Sequence, residues 1–122
     1  MGFDWFITLS FHIDESTGLP YVWGPGLQRQ PYNPEDYCVP EQYRQFLYMR
    51  GHLFHEYTRG AEVNDTYECN TSVILEHFPT WAEITEVDDF EHYDWSEEKH
   101  NLLKEALTWF SSKQHFNVSW SY

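Results

Sequence analysis

The chain has 122 residues and carries 20 acidic against 7 basic side chains, for a formal net charge of −13. Its 6 Trp, 9 Tyr and 9 Phe exclude the disordered class to which many acidic chains belong, because they supply enough apolar area for a core. The length is typical of one domain, expected over residues 1–122. Binding to phosphates or anionic lipids needs Lys and Arg, so we expect neither direct nucleic acid binding nor membrane association.

The N-terminal part predicts a β-hairpin. Apolar and polar residues alternate over residues 3–13, which is typical of a strand with one buried face. A turn around Gly18 precedes the apolar residues 21–23, which we interpret as the returning strand. Residues 24–38 are rich in Gly, Pro, Gln and Asn and predict a loop. Four aromatic residues in or near this loop either form a recognition surface or fold back over the sheet edge: Tyr21, Trp23, Tyr32 and Tyr37.

Two main helices and a C-terminal strand are predicted after this loop. The first helix has Pro40 in its first turn and ends at Gly51, with Tyr43, Phe46, Leu47 and Arg50 at helical spacing. Residues 53–57 fit a helix or a strand equally well. The pair Thr80 and Glu83 has the spacing of a capping box and predicts a short helix over residues 81–87.

The second main helix is predicted from another capping box, Asp94 and Glu97, and from apolar residues on one face between positions 102 and 110. Alternation returns over residues 116–122 and predicts a final strand. We therefore expect an α+β fold, with a small antiparallel sheet made of the N-terminal hairpin and the C-terminal strand. The two main helices would cover one face of that sheet.

The acidic residues are concentrated in the second half of the chain. Residues 1–60 hold 7 acids and 4 bases, whereas residues 61–122 hold 13 acids and 3 bases. The densest part is residues 83–98, here called the acidic segment, which contains no Lys or Arg. Its eight acids are the predicted partner-binding residues: Glu83, Glu86, Asp88, Asp89, Glu91, Asp94, Glu97 and Glu98. Such a segment favours a basic protein partner, although net charge also serves solubility alone.

A metal site is one candidate for chemistry. If residues 52–56 are helical, His52, His55 and Glu56 share a face, and imidazole with carboxylate suits zinc. In a strand, His52 and His55 would point to opposite faces and the site would fail. A second stretch offers the hard oxygen ligands that calcium prefers, but it lacks the ligand rhythm of an EF-hand: Asp88, Asp89, Glu91, His92 and Asp94.

The other signatures of catalysis are weak. Cys38 lies near a predicted helix start, but no nucleophile motif surrounds it, and neither Cys38 nor Cys69 belongs to a CxxC pair. Whether the two cysteines are bridged stays open. No glycine-rich phosphate-binding motif occurs, so no cofactor is expected. Two cysteines and no recognisable secretory signal favour a cytoplasmic location, in a cell or an infected host.

Three functions remain in view. The sequence favours a non-enzymatic accessory protein of binding or inhibitor type, which acts through the acidic segment and in a special case mimics nucleic acid. A metal-assisted enzyme that uses His52, His55 and Glu56 is the second hypothesis. The third is a structural or assembly subunit that self-associates through exposed strand edges.

Overall fold

A computed structural model describes residues 2–64, 66–113 and 115–122, and it confirms the α+β class. The strands of the described residues are β1 Asp4–Leu9, β2 His12–Ile13, β3 Pro20–Trp23, β4 Arg29–Pro31, β5 Tyr48–Arg50, β6 Glu68–Asn70 and β7 Phe116–Ser121. The α-helices are α1 His55–Thr58, α2 Thr71–Glu76, α3 Trp81–Thr85 and α4 Glu97–Lys113. The short 3₁₀ helices are Pro25–Leu27, Pro34–Tyr37, Glu41–Phe46, His52–Phe54, Arg59–Ala61 and Phe90–His92.

The main sheet joins the two ends of the chain. Its strand order is β5-β1-β7-β6, and every neighbouring pair is antiparallel. Strand β1 pairs with β7 from Asp4 opposite Ser121 to Leu9 opposite Phe116. The predicted alternation appears in both strands, because every second residue is buried on the face that carries the core.

The predicted long N-terminal strand is divided in two, and this division places the hairpin in a separate sheet. Strand β1 ends at Leu9, opposite the first residue of β7, so no neighbouring strand continues beyond it. Strand β2 pairs with β3 as the predicted hairpin does, but the third member is β4 and not the C-terminal strand. The alternation continues through Phe11 and Ile13, yet these side chains are 49% and 54% exposed.

The first predicted main helix is wrong in type. Residues 41–46 form a 3₁₀ helix, and the chain then enters strand β5, which pairs with the free edge of β1. Tyr43 and Phe46 are buried as predicted, but Arg50 is exposed on a strand and lies outside the apolar stripe. Pairing with β1 gives Tyr48–Arg50 the backbone partners that a helix would otherwise supply.

The helical layer consists mainly of α4 and the shorter α2, which pack against each other and against β7. The inner face of α4 is entirely buried at Leu103, Ala106, Leu107 and Phe110. Helix α4 begins two residues later than the capping-box prediction, because Ser96 and not Asp94 caps it. The Ser96 hydroxyl accepts the backbone N–H of Lys99 at 3.2 Å, whereas Asp94 contacts the Lys99 ammonium.

Aromatic stacking joins the small second sheet to the main core. The rings of Tyr32 and Tyr37 are parallel within 8°, with centroids 5.4 Å apart, and Phe11 stacks on Tyr32. Tyr37 in turn contacts the buried Phe116 of β7. The second sheet is therefore attached to the main core through ring contacts.

Substitution of Trp5 tests the centre of the core. Trp5 is fully buried, and its indole N–H donates to the Phe46 carbonyl oxygen at 2.9 Å. We expect Trp5→Phe to lower the free energy of unfolding by about 2 to 3 kcal/mol, from lost volume and an unpaired buried carbonyl. Trp23→Phe, at a 39% exposed position, is the control and should change it by less than about 0.5 kcal/mol in urea unfolding. Equal losses of unfolding free energy for the two variants would contradict the placement of Trp5 at the centre of the core.

Candidate functional site

All eight carboxylates of the acidic segment are exposed. Within the described residues, their ion pairs involve only Asp94, 3.4 Å from the Lys99 ammonium, and Asp89, 3.9 Å from His92. The segment starts on α3, passes a turn and a 3₁₀ helix, and ends in the first turn of α4. Glu97 and Glu98 there complement the helix dipole, which gives them a structural role as well.

Four carboxylates of the acidic segment share one cleft of about 650 Å³ with the predicted metal residues. The other four predicted partner-binding acids lie outside its lining: Glu91, Asp94, Glu97 and Glu98. What we call the first wall consists of His52, His55, Glu56 and Arg59. The second wall consists of Glu83, Glu86, Val87, Asp88, Asp89 and Tyr93. Five lining residues are carboxylates, and the one guanidinium among them, Arg59, already pairs with Glu56 at 3.3 Å. The described lining therefore presents an excess of negative charge.

Local sequence positions the second wall. The Thr80 hydroxyl accepts the Glu83 backbone N–H at 3.2 Å, as the capping box predicts, and Glu83 accepts the hydroxyl proton in return. Buried Ile84 anchors the short helix to the core. Asp89 adopts a left-handed conformation with φ of 60°, which turns the chain after the helix. These features bring Glu83, Glu86 and Asp89 to the same side of the cleft.

Gly51 allows the two walls to approach each other. It precedes the first wall and has φ of 130°, a conformation that L side chains rarely adopt. A Cβ built on Gly51 would lie 2.8 Å from a ring carbon of Tyr93 in the second wall. The contact therefore requires glycine both for its backbone and for its lack of a side chain.

His55 has a hydrogen-bonding environment that the sequence did not predict. Its Nε2 lies 3.0 Å from Glu62 Oε1, which also accepts the Trp120 indole N–H at 3.0 Å and the Tyr122 hydroxyl. Burial raises the pKa of the Glu62 carboxyl, but hydrogen bonds from Tyr122 and Trp120 and the nearby His55 outweigh burial and lower it. No sequence signal marks Glu62, because two of its partners, Trp120 and Tyr122, come from the far end of the chain.

The predicted metal residues lie in one cleft, but their ligand atoms do not form a compact group. Among the residues that the structure describes, three ligand atoms of His, Cys, Asp or Glu lie within 4.8 Å of one another only at Asp89, Glu91 and His92. All three are exposed and belong to the predicted calcium stretch. His55 presents Nε2 to Glu62 instead of a shared centre with Glu56. Both metal sites stay predictions.

Neither cysteine lines the cleft. Cys38 is exposed and Cys69 half-buried, and both are free thiols. Burial, followed by the Glu68 charge, raises the pKa of Cys69 to about 11, which keeps it protonated at neutral pH.

Of the four predicted surface aromatics, Tyr32 and Tyr37 are half-buried in the stack that leads to the core. Tyr21 and Trp23 contact each other on the second sheet, with the Arg29 guanidinium 4.5 Å and 5.5 Å from their ring centroids. Tyr32 and Tyr37 therefore fold back towards the core, whereas a recognition surface at Tyr21 and Trp23 stays a prediction.

Comparison with protein-family models, curated proteins and solved structures finds no significant match to this chain. No helix within residues 2–64, 66–113 and 115–122 combines the length and apolar character that crossing a membrane requires.

Replacement of Gly51 tests the contact between the walls. We expect Gly51→Ala to lower the free energy of unfolding by at least about 2 kcal/mol, because it adds strain and a clash with Tyr93. Gly18→Ala is the matched control, since Gly18 also has positive φ, of 73°, but no neighbouring atom within 4 Å. Its loss should be about 1 kcal/mol. Similar losses in urea unfolding would show that Tyr93 does not constrain position 51.

Glu62→Gln tests the carboxylate network through its pH dependence. At pH 7 we expect a loss of about 1 to 2 kcal/mol in the free energy of unfolding, from weakened hydrogen bonds to the charge. Because folding lowers the Glu62 pKa, this stabilisation is present above the ordinary value of 4.5 and disappears as pH falls through the folded pKa. The difference between wild type and variant should therefore shrink on acidification in urea unfolding.

Glu15→Gln is the control for the Glu62 experiment, since it makes the same charge change at an exposed position. It should alter stability by less than about 0.5 kcal/mol at either pH. A loss for Glu62→Gln that is independent of pH would contradict a role for the Glu62 charge.

Proposed function

We propose that this protein is a small acidic binding protein whose cleft accepts a basic segment of a protein partner. The observation that carries the proposal is the convergence of two distant chain regions on one cleft with five carboxylates. Arg59 forms its ion pair with Glu56 of its own wall. Within the described residues, the ion pairs of the second-wall carboxylates involve only Asp89, which lies 3.9 Å from His92. A cleft with charge of one sign concentrates ligands of the other sign.

Because these carboxylates are exposed, they would act together in attracting and selecting a partner and not through single strong ion pairs. Each exposed ion pair with a partner contributes little free energy, about 0.2 to 1 kcal/mol. Several together accelerate encounter and exclude acidic partners. Val87 and Tyr93 supply half-buried apolar surface in the same cleft, which suits the aliphatic stems of Lys or Arg. A lysine- or arginine-rich segment therefore matches both the charge and the apolar surface.

The narrower form of the proposal is a nucleic acid mimic, which would occupy the phosphate-binding surface of another protein. The exposed carboxylates of the acidic segment support this form, because a phosphate-binding surface is basic and selects negatively charged groups. The two free thiols support a reducing, cytoplasmic setting. Both forms predict the same salt-sensitive contact with a basic partner.

A labelled oligolysine peptide tests the cleft by fluorescence anisotropy over a series of salt concentrations. The cleft variant neutralises four acids of the second wall without changing their size: Glu83→Gln, Glu86→Gln, Asp88→Asn and Asp89→Asn. Asn tolerates the left-handed conformation at position 89. The control variant makes the same charge change at four exposed acids outside the cleft: Glu15→Gln, Glu35→Gln, Asp36→Asn and Glu41→Gln.

We expect the cleft variant to bind the peptide at least about tenfold more weakly, and the control variant less than about threefold. Wild-type affinity should fall steadily as salt concentration rises. Equal weakening by both variants would mean that net charge, and not the cleft, attracts the peptide. Affinity that does not change with salt would also contradict the proposal.

A further inference from the structure

A chain of hydrogen bonds connects α1 to α4 and to the segment that precedes α4. The Trp95 indole N–H donates to the Tyr57 hydroxyl oxygen at 2.9 Å, and that hydroxyl lies 2.7 Å from His100 Nδ1. Tyr57 belongs to α1, His100 to α4, and Trp95 lies in the segment just before α4. Tyr57 is fully buried and His100 is 4% exposed. The chain is therefore shielded from water at its centre.

The direction of both hydrogen bonds follows from the groups themselves. An indole N–H is only a donor, so the Tyr57 oxygen accepts from Trp95. The single hydroxyl proton of Tyr57 is then left to donate to His100 Nδ1. His100 is consequently neutral, with its proton on Nε2. The geometry assigns this tautomer.

A proton on His100 Nδ1 is incompatible with this arrangement. Nδ1–H would donate to the Tyr57 oxygen, so the Tyr57 hydroxyl proton would lose its acceptor and turn to the other side of the oxygen. There it would meet the Trp95 indole N–H, which is also a donor. The rings around Tyr57 are those of Phe54, Phe78, Trp95 and His100, which provide no replacement acceptor. A buried donor without an acceptor costs about 1 to 3 kcal/mol, so another contact must give way. Trp95 is half-buried, which makes it the member that can leave.

The chain also ties the two walls of the cleft together. Tyr57 directly follows Glu56 of the first wall, and Trp95 lies two residues after Tyr93 of the second wall. Trp95 packs its ring against Phe54 of the preceding 3₁₀ helix, with centroids 5.0 Å apart. Release of Trp95 would free the end of the acidic segment from α1.

We propose that His100 is a proton-sensitive clamp, whose protonation detaches Trp95 from Tyr57 and loosens the second wall of the cleft. The clamp itself stands on the buried hydrogen bonds, and only its effect on a bound partner rests on the proposed function.

The surroundings of His100 determine the pH range in which the clamp operates. Burial and then the Lys104 ammonium lower its pKa below the ordinary 6.5, while Glu97 acts in the opposite direction. Tyr57 faces it from α1, and the rings of Phe78 and Trp81 cover it from the segment between α2 and α3. Because the folded pKa is lowered, the clamp is complete above pH 6.5 and is lost as pH falls through that folded value.

Nitrogen-15 NMR of the full chain, without any ligand, tests the clamp from about pH 7.5 down to about pH 4. The ring nitrogens of His100 should report the Nε2–H tautomer at neutral pH. The Trp95 indole signal, assigned by its loss in Trp95→Phe, should shift with the same midpoint as His100. Hydrogen exchange at Trp95 should accelerate about tenfold relative to Trp5, as expected for one lost hydrogen bond.

His100→Asn retains an acceptor near the Nδ1 position but does not titrate, so the Trp95 shift should disappear. His115→Asn is the matched control, because burial also lowers the pKa of His115 but its ring contact is with Tyr37, away from the clamp. There the Trp95 shift should persist. If His100→Asn does not fold, Tyr57→Phe serves instead, since it removes the linking oxygen and should uncouple Trp95 from His100.

An Nδ1–H tautomer, or a Trp95 signal that stays fixed while His100 titrates, would overturn the clamp. Binding of the oligolysine peptide is measured separately at each pH. Coupled titration without any peptide binding would leave the clamp standing and remove the proposed function. Peptide binding without coupled titration would leave the proposed function standing and remove the clamp.

Discussion

Six residue pairs join β1 to β7, and they hold the two ends of the chain side by side in the main sheet. Both outer edges of this pair recruit further strands, β5 beside β1 and β6 beside β7. Their buried faces form the floor on which α4 and α2 pack. The same pairing places Trp120 and Tyr122 where they can donate to Glu62, which in turn holds His55 of the first wall. The first wall of the cleft thus depends on pairing between strands from opposite ends of the chain.

The strong net charge is tolerated because core and charge occupy different parts of the structure. The buried positions are almost all apolar, and His100 is the one ionisable side chain among the buried polar residues of the described chain. Exposed carboxylates are solvated, so each costs little by itself. Their mutual repulsion is a collective cost that burial of aromatic rings must offset.

The sequence was sufficient for elements whose pattern is local. Alternation predicted β7, spacing predicted α4, and the Thr80 hydroxyl marked the start of α3. It failed at residues 48–50, where a helical stripe became a strand because the edge of β1 offered backbone partners. The candidate site was predicted as two unrelated groups of residues. Their meeting in one cleft, and the role of Glu62, depend on tertiary packing that no local spacing records.

The cleft walls consist of short elements that have no independent stability. Helix α1 has four residues and α3 has five, far below the length at which an isolated helix persists in water. Each is held by a few buried side chains, Tyr57 in the first wall region and Ile84 in the second. The spacing between the walls is therefore set by core packing, and the Trp95–Tyr57–His100 chain is the polar part of that packing. Because a ligand that bridges both walls binds only their native arrangement, its binding and the stability of this part of the core are thermodynamically linked.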